Sequence, residues 1–208
     1  MDPIQGLDWG AYYWFRTQRE LHLPAVEILL TILAHLAMPV TLGLLGVCNL
    51  VWFWRAGNRR AAFVFVGSVV VALGILFGTQ LAVQRLPPLE LSTELTPLGS
   101  FPNGEALLTS LIYGVLALNM TSGCTGARCR FLVWLVAVVL ILATGASVMY
   151  VGGAFLTDVL AGWAAGTLLV LVGDRLGGYT RGRPAGGREY SAADSGISTR
   201  SEPPQAAK

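Results

Sequence analysis

The chain has 208 residues, 54% hydrophobic and only 12% charged, with a net charge of +2. A soluble domain carries about twice that charged fraction, so the composition excludes a water-surrounded globule and indicates a multi-span membrane protein. So small a net charge also argues against a nucleic-acid partner. Near the N-terminus, Asp8–Leu23 reads DWGAYYWFRTQRELHL. It is too polar to span a bilayer, and Trp and Tyr favour the headgroup level. Residues 1–23 therefore read as an interfacial helix.

Pro24 opens a first apolar run that reaches about Trp54. At about 1.5 Å per residue it exceeds a hydrocarbon core of about 30 Å, so it is expected to tilt, protrude or bend near Pro39. Inside it, Glu27, Thr31 and His35 are spaced i, i+4, i+8 and share one helix face. Intramembrane polar residues usually face the bundle interior. A proton path or metal site is one reading of that face. An interfacial Glu27 with His35 packed against another helix is the other.

The basic stretch Arg55–Arg60 precedes a second span, Ala61–Gln84. Arg85–Gly99 carries Pro87, Pro88 and Pro97 with Glu90 and Glu94, and reads as a loop. In the stretch SFPNGEAL, Pro102 suits a first helical turn, and Ser100 and Asn103 are residue types that cap helix starts. The third span runs from near Pro102 to about Ser122, the fourth over Phe131–Met149 and the fifth over Phe155–Val172. Residues 175–208 are rich in Gly, Arg and Ser and are expected to be disordered. The fold class is thus all-α: a polytopic membrane bundle of about five transmembrane helices over 24–174, plus the N-terminal interfacial helix.

Basic residues cluster in Arg55–Arg60, around Arg128–Arg130 and from Arg175 onward, while the alternate loops hold one Arg between them. The positive-inside rule then places the C-terminal tail in the cytoplasm and the N-terminus outside. Arg16 and Arg19 dissent, unless headgroups hold them. On this topology Cys124 and Cys129 share a cytosolic loop, where a disulfide does not persist. Cys48, in an apolar run, reads as a packing residue. The same topology brings Ser100–Glu105 and Ser147–Asp158 to one face, the outer one.

Three segments there resemble the type-2 phosphatidic acid phosphatase and vanadium haloperoxidase superfamily, whose signatures are K-x6-R-P, P-S-G-H and S-R-x5-H-x3-D. In QLAVQRLPP, Gln80 stands at the Lys and Pro87 at the Arg, with Pro88 matching and Arg85 nearby. In PNGE, Pro102 and Gly104 match, while Asn103 replaces Ser and Glu105 replaces His. In SVMYVGGAFLTD, Ser147 and Asp158 match at the family spacing, while Val148 replaces Arg and Ala154 replaces the nucleophilic His. The resemblance implies a helical bundle with its site at the outer face of a bacterial-type inner membrane. In the family reaction, a His held by an Asp attacks phosphorus, cations steady the transition state and a second His protonates the leaving group. Loss of one such group commonly costs about a hundredfold in rate. Here the attacking His, the proton-donating second His and the cations are all replaced.

The leading expectation is a catalytically inactive, phosphatase-like protein. It would act as an accessory subunit or bind a lipid or polyprenyl phosphate at the outer leaflet. Its partners would be membrane lipids and other membrane proteins, with no cofactor and no metal. The altered pocket would comprise Gln80, Arg85, Asn103, Gly104, Glu105, Ser147 and Asp158. Arg85 either takes an anionic headgroup or pairs with Glu105 or Asp158 as a structural tie. Asp158, without its His, either binds or caps the fifth helix. Two alternatives stand beside this: a hydrolase rebuilt on Glu105, Asp158 and Arg85, and a lipid transport or scrambling role for the Glu27, Thr31, His35 face.

Overall fold

The computed structural model describes residues 3–21, 24–86, 88 and 99–181. Expectations placed on Pro87, Glu90, Glu94, Pro97, the side chain of Glu27 and the tail beyond 181 lie outside the described residues. Among the described residues there are seven α-helices: α1 (Pro3–Glu20), α2 (Pro24–Ala37), α3 (Pro39–Arg55), α4 (Arg59–Val83), α5 (Gly104–Thr121), α6 (Ala127–Val151) and α7 (Leu156–Gly177). A short 3-10 turn, Tyr179–Arg181, follows. Four of them, α4 to α7, are each long and apolar enough to cross a membrane.

The expected first span is broken in two. Pro39 has no N–H to continue the ladder from α2, so α3 restarts there with Met38 as its N-cap. The carbonyls freed by the break find other donors. Thr41 Oγ1 donates to the His35 carbonyl at 2.8 Å, and the Tyr113 hydroxyl on α5 donates to the Leu36 carbonyl at 3.1 Å. Without such donors an open carbonyl at membrane depth would cost several kcal/mol on the order of a lost hydrogen bond.

At the centre of the bundle stands α5. Its apolar window is 67% buried, against 22% for α6. The buried helix is the less apolar of the two, because lipid-facing helices need uniform apolar surface while an inner helix can carry polar groups that bond internally. Thr109 and Ser110 donate to carbonyls of their own helix, and Asn119 donates to Asn49 Oδ1 on α3 at 2.7 Å. The closest packing is between α5 and α7. Gly162 and Gly166, one turn apart, make it possible, as the small-residue pattern predicts. A Cβ on Gly162 would sit 2.6 Å from the Asn103 carbonyl oxygen, and one on Gly166 would fall on the Leu107 carbonyl.

Several expectations are corrected. The face carrying Thr31 and His35 points away from the bundle, since both residues are exposed. The His35 ring closes on the Thr31 carbonyl of its own helix at 2.7 Å, so it is not packed against a neighbour. Cys48 is exposed on α3 rather than packed. Cys124 and Cys129 are joined as a disulfide with their Cα atoms 5.7 Å apart, because the tight turn from α5 to α6 brings the two thiols within reach. The ordered bundle also passes residue 174. Asn58 donates to the Gly178 carbonyl, and Tyr179 is buried, stacked on Phe53 at 5.3 Å between ring centres.

Candidate anion site at the start of α7

The segment after α4 sets the site. Gln84 ends that helix with φ 46°, in the left-handed region, and turns the chain so that Arg85 leaves the helix axis. The chain returns at Gly99 and Ser100, where Ser100 N–H donates to the Arg85 carbonyl at 2.7 Å. Three residues later Asn103 caps α5, its side-chain oxygen accepting from Ala106 N–H at 2.8 Å. Pro102 therefore precedes the cap rather than filling the first helical turn. The Asn103 N–H donates to the Asp158 carbonyl at 3.0 Å, which ties the start of α5 to the start of α7.

Arg85 is the hub. Its Nη1 donates to Asp158 Oδ1 at 2.8 Å and to Thr157 Oγ1 at 2.9 Å, and its Nη2 donates to Asp8 Oδ2 on α1. The guanidinium lies over the Phe155 ring, 4.4 Å from its centre. Asp8 accepts two further bonds, from Thr157 N–H at 2.9 Å and from the Thr157 hydroxyl at 2.7 Å. The second Asp158 oxygen lies 2.9 Å from the Ser100 hydroxyl and 3.3 Å from Phe155 N–H, the latter a cap on the α7 N-terminus. Both carboxylates are buried, at 1% exposure for Asp8 and 0% for Asp158, while Arg85 keeps 29%. Burial by itself raises the Asp8 carboxyl, but the Arg85 and Thr157 donors together outweigh it and hold Asp8 below its ordinary 3.8.

Of the expected pocket residues, the structure joins Arg85, Asn103 and Asp158, and adds Ser100, Thr157 and Asp8. Ser147 is fully buried and spends its hydroxyl on the Thr144 carbonyl of its own helix at 2.7 Å. Gln80 remains on the last turn of α4, and neither it nor Glu105 bonds Arg85 or Asp158. Glu105 points outward from the first turn of α5 and is exposed. Gly104 stands where α4 and α5 touch: a Cβ there would sit 2.9 Å from Leu76 Cδ2, the movable end of a side chain. Ala154, where the resemblance puts the nucleophile, is buried with Val148, Met149 and Val159 in an apolar cluster. Asp8 went unnoticed in the sequence. Its one signal was an acid set among five aromatic residues, where nothing local could neutralise it.

The family model of the PAP2 superfamily matches residues 79–178. That interval runs from the last turn of α4 to the end of α7 and holds every residue of the site except Asp8. Over that segment the chain is similar to the PAP2 superfamily. It is similar in fold to the crystal structure of a transmembrane PAP2-type phosphatidylglycerolphosphate phosphatase from Bacillus subtilis. The TM-score is 0.70 at 20% identity, over 84% of this chain and 86% of that one. No curated protein matches. These similarities support a multi-pass, lipid-phosphatase-like membrane protein.

Proposed function

We propose that this protein does not hydrolyse phosphate esters. In this reading it serves as a binder of a lipid or polyprenyl phosphate, in an accessory role within the outer half of the membrane. One observation carries it: Ala154, which the resemblance sets at the attacking nitrogen, is a buried methyl, and Asp158 is paired with Arg85. A methyl has no lone pair to attack phosphorus. A carboxylate already bound to a guanidinium has no imidazole to orient. Arg85 supplies the charge that an anionic headgroup needs, and the Ser100 and Thr157 hydroxyls stand beside it as neutral donors. A rebuilt hydrolase would need an acid or base beside Arg85 free to move a proton, and Glu105 does not join the cluster.

The test is phosphate release by the purified full chain in detergent micelles, offered phosphatidate and a polyprenyl diphosphate. The expected rate equals the protein-free rate, with phosphatidate retained by the parent and lost in Arg85→Gln. Release that disappears in Asp158→Ala would sink the proposal.

A further inference from the structure

We propose that Asp8 is an internal stand-in for the anionic group this site takes, and that α1 is a displaceable plug over it. The inference rests on the lipid-phosphate reading above and adds its regulation. Three donors converge on the Asp8 carboxylate: Arg85 Nη2, Thr157 N–H at 2.9 Å and Thr157 Oγ1 at 2.7 Å. A guanidinium, a hydroxyl and a free N–H at the first turn of a 22-residue helix form the donor set that a phosphate monoester uses. The seated carboxylate shows that the set accepts an anion. It arrives from outside the family match, carried by the N-terminal helix.

Charge decides which occupant wins. With α1 docked, one guanidinium faces two carboxylates, Asp8 and Asp158, and the cluster is net negative. A phosphate brought to it is repelled. With α1 lifted, Arg85 balances Asp158 alone, and the two Thr157 donors stand open. The rest of α1 is held by contacts that can exchange for lipid. Trp9 packs edge-on to Phe155 at 5.4 Å, and Arg19 donates to the Val151 carbonyl at 3.2 Å. Its other side exposes Ile4, Leu7, Tyr13 and Trp14, so the helix can stay at the interface as it leaves the site.

The experiment measures binding by the full chain in micelles to three probes: inorganic phosphate, dihexanoyl phosphatidate and dihexanoyl phosphatidylcholine. Asp8→Ala is expected to bind phosphatidate at least tenfold tighter than the parent, and the double variant Asp8→Ala with Arg85→Gln to lose the gain. Equal tightening for inorganic phosphate assigns the site to free phosphate and keeps the plug. A gain confined to phosphatidate assigns it to the lipid headgroup. If the parent binds phosphatidate and Asp8→Ala binds it no better, the plug is wrong and the lipid-phosphate reading stands. If neither binds, both fail. Should Asp8→Ala not fold, Asp8→Asn replaces it. In the parent, amide exchange along α1 is expected to quicken with added phosphatidate, and unchanged exchange contradicts the plug.

Discussion

Arg85 stands between two buried carboxylates, and each of the three charges depends on the others. Removing one member of such a cluster costs more than the pair is worth, because it leaves a charge buried without a partner. Asp8 adds a pH dependence whose sign follows from its lowered pKa. An acid with a depressed folded pKa contributes stability above its unfolded value, about 3.9, and loses it as pH falls through the folded value. Docking of α1 is therefore expected to hold at neutral pH and to weaken below about pH 4. Hydrogen exchange of α1 amides in micelles checks this. Protection that is as strong at pH 3 as at pH 6, and the same in Asp8→Asn, contradicts it. At this scale the sequence was partly legible. Arg85 and Asp158 could be paired from topology, because both fall at the same end of the bundle. Asp8 could not, because its partners lie 77 and 149 positions away and no periodicity links it to them.

At the scale of elements, apolar runs gave four of the helices within a few residues, since a span must satisfy its backbone internally and be apolar outside. The break at Pro39 was legible for a similar reason: a proline inside a long run removes one bond of the ladder. Which face turns inward was harder to read. Thr31 and His35 share a face, but the contacts of α2 leave that face outside, and polarity alone does not reveal this. The close approach at Gly162 and Gly166 yields a prediction. Gly166→Leu forces α7 off the Leu107 carbonyl and is expected to destabilise the bundle by about 1–3 kcal/mol or more through overpacking. The readout is the thermal midpoint in detergent. Gly126→Leu, at a position with open space around its Cα, serves as the control and is expected to shift it far less. Equal midpoints for parent and Gly166→Leu contradict the close approach of α5 and α7.

For the whole molecule, the bundle shares the fold of a PAP2-type phosphatase and holds a salt-bridge cluster at the start of α7. The scaffold places the starts of α5 and α7 side by side, joined by the Asn103 to Asp158 backbone bond. Helix packing builds that frame, chiefly the close approach of α5 and α7 at Gly162 and Gly166. Arg128 and Arg130 in the first turn of α6 argue for a cytosolic location, and the disulfide that ties the preceding turn to that helix argues for an oxidising one. The Arg19 to Val151 bond removes one dissenting charge from the orientation argument, since a cation at the end of α6 is held by a helix C-terminus. The central claim, that the frame outlived the hydrolysis, is tested most directly under single-turnover conditions. Protein in excess over radiolabelled phosphatidate exposes even one slow cycle. The account predicts no labelled phosphate beyond the protein-free control and no labelled protein. Label released or bound covalently by the parent, and absent with Asp158→Ala, contradicts it.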